Sequence, residues 1–198
     1  MGETYFIETE INGIAVKFKT SDKVFSPRNI DRGTLAMLSF ADFKEGDRVL
    51  DLGCGYGVVG ILASKIVGPE NVVMTDVDEN AVGLAAENAI INNVGGVKVI
   101  KSNGFRELSE TGFSVILSNP PYHADFSVAK EFIEKGFNRL IVGGRMLMVT
   151  KRKEWYKNKL TSVFGGCRIH EIDGYFVFAA EKRDTTYAKA KKAKAKNK

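Results

Sequence analysis

From Arg48 onward the sequence alternates two periodicities. The short apolar runs RVLDL, NVVMTD, VKVIKS, FSVILSN and GGRMLMVT are interleaved with VGILASKIV, ENAVGLAAENAIIN, SVAKEFIEKGFNRL and KEWYKNKLTSVF, whose apolar residues recur at helical spacing. Parallel strands need long crossover connections, and helical crossovers cover both faces of the sheet they join. This order therefore predicts a doubly wound α/β fold with a mostly parallel sheet. Two segments depart from it. CRIHEI and YFVFAAE are separated only by Asp173-Gly174, and TYFIETEI and IAVKFKT only by Asn12-Gly13. Both dipeptides tolerate the positive φ angles of a two-residue turn, so an antiparallel hairpin is expected at each end of the chain. Between the first hairpin and Arg48, Asp31 is placed to cap a helix through Thr34, Leu35, Leu38 and Phe40. The expected organisation is one domain over 1–181, with residues 1–45 packed onto the core, followed by a basic, disordered tail over 182–198.

Charge distribution bears on partners. The formal net charge is +5, but residues 182–198 hold seven lysines and one arginine against one aspartate, a local +7 that leaves −2 for the rest. The tail can grip phosphate backbones without reading sequence. No apolar run approaches a membrane span and the N-terminus lacks the pattern of a signal peptide, so a cytoplasmic location is the expectation. Two cysteines and two histidines, without metal-ligand spacing, give no expectation of a metal site.

The strand RVLDL runs into Gly53-Cys54-Gly55-Tyr56-Gly57 and then a helix. Glycines let the backbone turn sharply and let a ligand approach it, while the helix start offers free N–H groups. Two cofactor classes fit. Gly55, Gly57 and Gly60 satisfy the G-x-G-x-x-G spacing of nicotinamide-dependent oxidoreductases, with Asp76 about 20 residues on as a ribose ligand. S-adenosyl-L-methionine fits the same loop, again with Asp76 accepting from both ribose hydroxyls. Asp78 reads as the cap of the following helix.

At the end of FSVILS stands Asn119-Pro120-Pro121-Tyr122, on the same rim as the glycine loop. An amino nitrogen conjugated to a ring or carbonyl is a poor nucleophile because its lone pair is delocalised. The Asn119 side-chain oxygen and the Pro120 carbonyl can accept from its two N–H groups, turning the lone pair outward. Consecutive prolines fix φ and hold these acceptors in advance. Tyr122 offers a face on which an unpaired base can stack. No general base is required, and the rate comes from alignment.

Asp51-Leu52-Gly53-Cys54-Gly55-Tyr56-Gly57 resembles the D/E-x-G-x-G-x-G signature of class I methyltransferases, and the terminal antiparallel hairpin is similar to theirs. The extension of the proline motif to His123 resembles the N-P-P-[F/Y]-H of the small-domain methyltransferases that make N2-methylguanosine in small-subunit ribosomal RNA. Phe25, Ser26, Asp31, Gly33, Thr34 and Leu38 are similar to that family's F-S-x-x-x-x-D-x-G-[ST]-x-x-L segment. The resemblance implies a Rossmann-like, seven-stranded sheet and S-adenosyl-L-methionine as cofactor. It implies cofactor contacts from Asp51, Gly53, Cys54, Gly55, Asp76, Val77, Asn103, Gly104 and Asn119. Asn119, Pro120 and Tyr122 would be catalytic, with Tyr122, His123 and Phe25 bordering the target base. Asn-Pro-Pro-Tyr is shared by methyltransferases of adenine and of protein glutamine, which stay open as alternatives. The best-known small-domain enzymes are roughly twice as long. A chain of this length would then hold ribosomal RNA or the ribosomal subunit through a local patch, the basic tail or a second copy of itself.

Overall fold

A computed structural model describes residues 2–121 and 125–188. The N-terminal hairpin pairs β1 (Thr4–Ile11) with β2 (Ile14–Ser21), turning through Asn12 and Gly13 at φ 52° and 80°. Helix α1 (Arg32–Leu38) follows, then β3 (Val49–Leu52), α2 (Val58–Val67), β4 (Val72–Asp76), α3 (Glu79–Ile91), β5 (Lys98–Lys101) and β6 (Phe113–Ser118). Helix α4 (Phe126–Arg139), β7 (Leu140–Thr150), α5 (Lys153–Phe164), β8 (Arg168–Ile172) and β9 (Tyr175–Glu181) complete the fold. Asp31 and Asp78 cap α1 and α3 as expected, accepting from the amides of Thr34 and Asn80. Phe40 lies beyond the helix predicted to contain it; its ring stacks on His170 with centroids 4.0 Å apart, which gives that histidine a packing role.

The seven-stranded sheet has the order β5-β4-β3-β6-β7-β9-β8, parallel except for β9, which runs antiparallel to both neighbours. The chain moves outward from β3 to β5, then returns to lay β6 on the other side of β3. The carboxyl ends of β3 and β6 therefore flank a topological switch point, where open α/β sheets bind ligands. Alternation along each strand divides the core. Val49, Val72 and Met74 pack with the hairpin, α1, α2 and α3, while Leu50, Leu52 and Val73 pack with α4 and α5.

The hairpin is held by two buried side-chain amides, Asn88 of α3 and Asn92 that caps its C-terminal end. Asn88 accepts from the Lys19 amide (2.7 Å) and donates to the Lys19 carbonyl (2.8 Å); Asn92 does the same at Lys17 (3.1 and 2.6 Å). Residues 17 and 19 point these groups away from β1, so the amides satisfy an edge that would otherwise be buried unpaired.

The β7 strand begins earlier than GGRMLMVT suggests. It bulges between Leu140 and Arg145, where Gly143 adopts φ 86° and a side chain at Gly144 would meet the Ile141 and Phe113 carbonyls. The bulge binds the segment after β9, which corrects the expected start of the tail. The Lys182 amide donates to the Gly144 carbonyl (2.8 Å), its carbonyl accepts from Gly143 (2.7 Å), and its buried ammonium donates to the Leu140 carbonyl (2.6 Å). Tyr187 packs edge-on against Phe137 and donates to the Glu134 carbonyl (2.9 Å). Packing thus continues through Tyr187; residues 189–198 of the expected tail lie outside the described residues.

Candidate active site

The glycine loop is pinned to β4. The amides of Gly53 and Cys54 both donate to the Thr75 carbonyl, at 2.8 and 2.9 Å, and the Gly55 amide donates to Asp76 Oδ2 at 2.8 Å. Gly53 and Gly55 have φ of 77° and 55°, and a Cβ on either would meet nothing within 4 Å, because that side of the loop faces open space. Gly60 answers a different need. A Cβ there would run into the Met74 side chain, and its amide donates to Asp51 Oδ2 at 2.8 Å. Asp51 is buried, and this burial, reinforced by the charge of Asp76, pushes its carboxyl up to about 7. The Cys54 thiol is also raised, chiefly by burial.

Asp76 ends β4 with both oxygens engaged once, Oδ2 by Gly55 and Oδ1 by the Asp78 amide (3.0 Å); each keeps a further acceptor position. After β5, Ser102 Oγ donates to the Gly104 carbonyl (2.8 Å), and Glu107 accepts from the Asn103 amide (2.9 Å), a bond that lowers the Glu107 pKa. These contacts shape the turn carrying Asn103.

A cleft of about 390 Å³ opens at the switch point. Of the sequence-predicted residues it brings together Gly53, Gly55, Asp76, Val77, Asn103, Gly104, Asn119, Pro120 and Phe25. Val77 and Phe25 are exposed at its mouth. Asp51 and Cys54 line instead an adjoining recess of about 60 Å³ that shares Phe25, Gly53, Gly55 and Asn119 with the cleft. Tyr122 and His123 lie outside the described residues.

Asn119 sits where the two spaces meet. Its Nδ2 donates to Asp31 Oδ2 (2.8 Å) and to Thr34 Oγ1 (3.0 Å). Asp31 Oδ2 also accepts from the Thr34 amide (2.8 Å), so the carboxylate that caps α1 fixes the asparagine. Because a carboxylate only accepts, the nitrogen must face it and the amide oxygen must face the other way. That oxygen is buried without a partner. The other buried side-chain polar atom lacking one, among the described residues, is Thr75 Oγ1, also in the cleft lining. Buried unpaired polar atoms are costly and rare, so two in one cleft mark a surface built for a polar ligand.

Several of these residues were not singled out as site residues by sequence. Asp31 and Thr34 were read as helix cap and family motif. Thr75 and Ser102 had one available signal, a polar residue in or just after an apolar strand. Val128 and Phe132 of α4, which close the cleft, looked like ordinary core positions.

Among the described residues, no helix is long and apolar enough to cross a membrane. Residues 15–179 match the family model described as methyltransferase small domain. The chain is 32% identical over 162 residues to ribosomal RNA small subunit methyltransferase C of Pseudomonas putida, covering 79% of this chain and 48% of that protein. It is 31% identical over 171 residues to YbxB of Bacillus subtilis, covering 83% and 85%. The chain thus spans about half the length of the methyltransferase C relative. Among solved structures, the T. thermophilus 16S rRNA N2 methyltransferase RsmC, in complex with AdoMet and guanosine, superposes with a TM-score of 0.84 at 26% identity, over 91% of this chain and 51% of that one. With a doubly wound sheet closed by an antiparallel strand, a glycine loop and Asn-Pro-Pro at its switch point, and a family match over most of its length, the chain belongs to the methyltransferase small-domain family.

Proposed function

We propose that the protein transfers the methyl group of S-adenosyl-L-methionine to the exocyclic N2 of a guanine in small-subunit ribosomal RNA. The observation that carries this reading is the Asn119 amide oxygen, buried and unpartnered, with its orientation locked by Asp31 and Thr34. An exocyclic amine donates two N–H groups in the plane of its ring. Asn119 Oδ1 accepts one and the Pro120 carbonyl the other, which leaves the nitrogen lone pair directed out of the plane. The protein's contribution to rate is alignment.

The residues present fit the cofactor. Its ribose hydroxyls would donate to Asp76, its adenine would lie between Val77 and the Asn103-Gly104 turn, and its methionine part would enter the recess beside Asp51, Gly53, Cys54 and Gly55. When bound, S-adenosyl-L-methionine supplies an electrophilic methyl group and leaves as S-adenosylhomocysteine, while the methylated nitrogen, acidic once cationic, releases one proton to water. Phe25 and Tyr122, with His123, would border the target base, and residues 189–198, with six lysines, would add phosphate contacts that are not sequence-specific. Methyltransferase C and RsmC, both named for small-subunit rRNA, support the substrate class.

The test is incubation of the full chain and labelled cofactor with small-subunit rRNA and with assembled subunits, followed by nucleoside mass spectrometry. The expected product is N2-methylguanosine. Label in N6-methyladenosine or in protein glutamine would refute the assignment. Asn119→Ala should abolish turnover while binding of S-adenosylhomocysteine persists.

A further inference from the structure

The described chain through Ala188 is close to charge balance, yet cations gather at one place on the sheet rim. Strand β7 ends at Thr150 on the same rim as Asn119 and is followed at once by Lys151, Arg152 and Lys153. Each of the three lies over an aromatic ring. The Lys151 ammonium is 4.8 Å from the centroid of Tyr175, the Arg152 guanidinium 4.9 Å from Phe126, and the Lys153 ammonium 4.9 Å from Phe176. Phe126 in turn stacks on Trp155, with centroids 4.4 Å apart and planes 17° from parallel. Lys151 and Arg152 are exposed, and the Lys153 side chain is 42% exposed, with a 3.9 Å approach to Glu171.

This group adjoins the candidate active site. Arg152, Phe126, Pro120 and Pro121 line one small pocket, while Pro120 and Pro121 also line the large cleft. The two prolines are thus a wall with the cofactor cleft on one side and the basic, aromatic rim on the other. A base held against Asn119 and Pro120 belongs to a strand whose next nucleotides can leave across this rim, which borders the same two prolines. Cations backed by aromatic rings are the surface that suits them: phosphates pair with the cations, and bases stack on the half-buried Trp155 ring and on the exposed guanidinium plane of Arg152.

Resting on the reading of the cleft as a site for an RNA base, the geometry points to Lys151, Arg152 and Lys153, with the Phe126–Trp155 stack, as a subsite for the single-stranded nucleotides flanking the methylated one. It accounts for how a fold with almost no net charge of its own places a polyanion at its active site. None of the three cations touches the cofactor cleft, so their role is substrate capture.

The test compares the wild-type chain with the Lys151→Ala/Arg152→Ala/Lys153→Ala variant and, as a milder second variant, Arg152→Gln. A fluorescein-labelled single-stranded RNA oligonucleotide is titrated in the presence of S-adenosylhomocysteine at several salt concentrations, and methylation of ribosomal RNA is measured in parallel. The triple variant should bind the oligonucleotide roughly tenfold more weakly, and the slope of log affinity against log salt should fall by about 2, for three lost phosphate contacts on a single strand. Arg152→Gln should lower the slope by about 0.7. The KM for RNA should rise by more than kcat falls, with unchanged cofactor affinity; the lost cation–ring contacts should lower the melting temperature of the triple variant by a few degrees while it stays folded. A wild-type chain that methylates RNA, beside variants with its affinity, salt slope and KM, would overturn the subsite and leave the site reading standing. Label entering protein instead of RNA with the wild type would overturn both.

Discussion

Replacing Asp31 by alanine removes the group that orients Asn119 while touching neither the cleft's main volume nor the glycine loop. In the intact protein Asp31 Oδ2 receives the Asn119 Nδ2 at 2.8 Å and the Thr34 amide at the same distance. A hydrogen bond to a charged group contributes about 1.5–3 kcal/mol. Without it the amide keeps only the Thr34 hydroxyl at 3.0 Å and is free to turn, presenting a donor where the proposed amine substrate needs an acceptor. At 1.36 kcal/mol per tenfold, kcat for methyl transfer should fall about 10- to 150-fold. Loss of the cap on α1 should cost about 1 kcal/mol of stability as well. Asp31→Asn separates the two effects. Asparagine is as good an N-cap as aspartate, so stability should hold, and its oxygen still accepts from Asn119 as a neutral partner, for a loss in kcat of about fivefold. Single-turnover assays at saturating cofactor and RNA, with calorimetric affinities for S-adenosylhomocysteine, separate orientation from binding. Asp31→Ala with a wild-type kcat would refute the claim that this carboxylate sets the amide.

Asn88→Ala should destabilise the protein by about 2–4 kcal/mol in urea unfolding, because it strands the buried Tyr56 carbonyl and the partly buried Lys19 carbonyl and amide; a loss below about 1 kcal/mol would show that the hairpin is held otherwise. Asp51 should make the folded state less stable as pH rises. Its folded pKa, about 7, exceeds its unfolded one, so the native state binds the extra proton between about pH 4 and 7, and stability falls across that window by up to about 4 kcal/mol. Urea midpoints measured from pH 5 to 8 should decline in the wild type and lose this component in Asp51→Asn; parallel slopes would exclude Asp51 as the titrating group. Gly60→Ala should cost about 1–3 kcal/mol by overpacking against Met74, and Met74→Ala in the same chain should return part of that loss; strict additivity of the two changes would deny the contact.

The elements of this fold were legible because periodicity and turn chemistry agreed. Asn12-Gly13 and Asp173-Gly174 adopt the positive φ pairs that their residue types suggest, and the apolar runs fall on strands whose alternate residues feed opposite faces. What escaped was long-range. Nothing local in AAENAIINN says that Asn88 and Asn92 will bond a strand 69 and 75 residues away, since an asparagine on a helix ordinarily faces water. The boundary at Lys182 failed for a related reason. A lysine beginning a basic, low-complexity stretch reads as solvated, yet the β7 bulge leaves the Leu140 carbonyl needing a donor, and Lys182 supplies it. Among site residues, the glycine loop and Asn-Pro-Pro were visible as compact motifs, whereas the contact from Asp31 to Asn119 spans 88 residues and exists only after the sheet has formed.

That contact also explains why the N-terminal segment belongs to the site. An unpaired Asn119 oxygen in a buried position costs about 1–3 kcal/mol, and left alone the amide would rotate or the loop would shift to relieve it. The opposite end of the same amide is held by a carboxylate whose position depends on α1. That helix packs on β7 and β9 and is tied at its C-terminal end to the hairpin by Asn12, whose Nδ2 donates to the Leu38 carbonyl at 3.1 Å. The hairpin is anchored in turn by Asn88 and Asn92. The packing of the N-terminal segment thus maintains one buried, unpaired acceptor, and loosening the hairpin should reach the proposed methyl transfer through Asp31. Asn12→Ala, remote from the cleft, should therefore lower kcat by a smaller factor than Asp31→Ala and leave cofactor affinity alone; an equal loss of cofactor affinity would place the defect in the glycine loop instead.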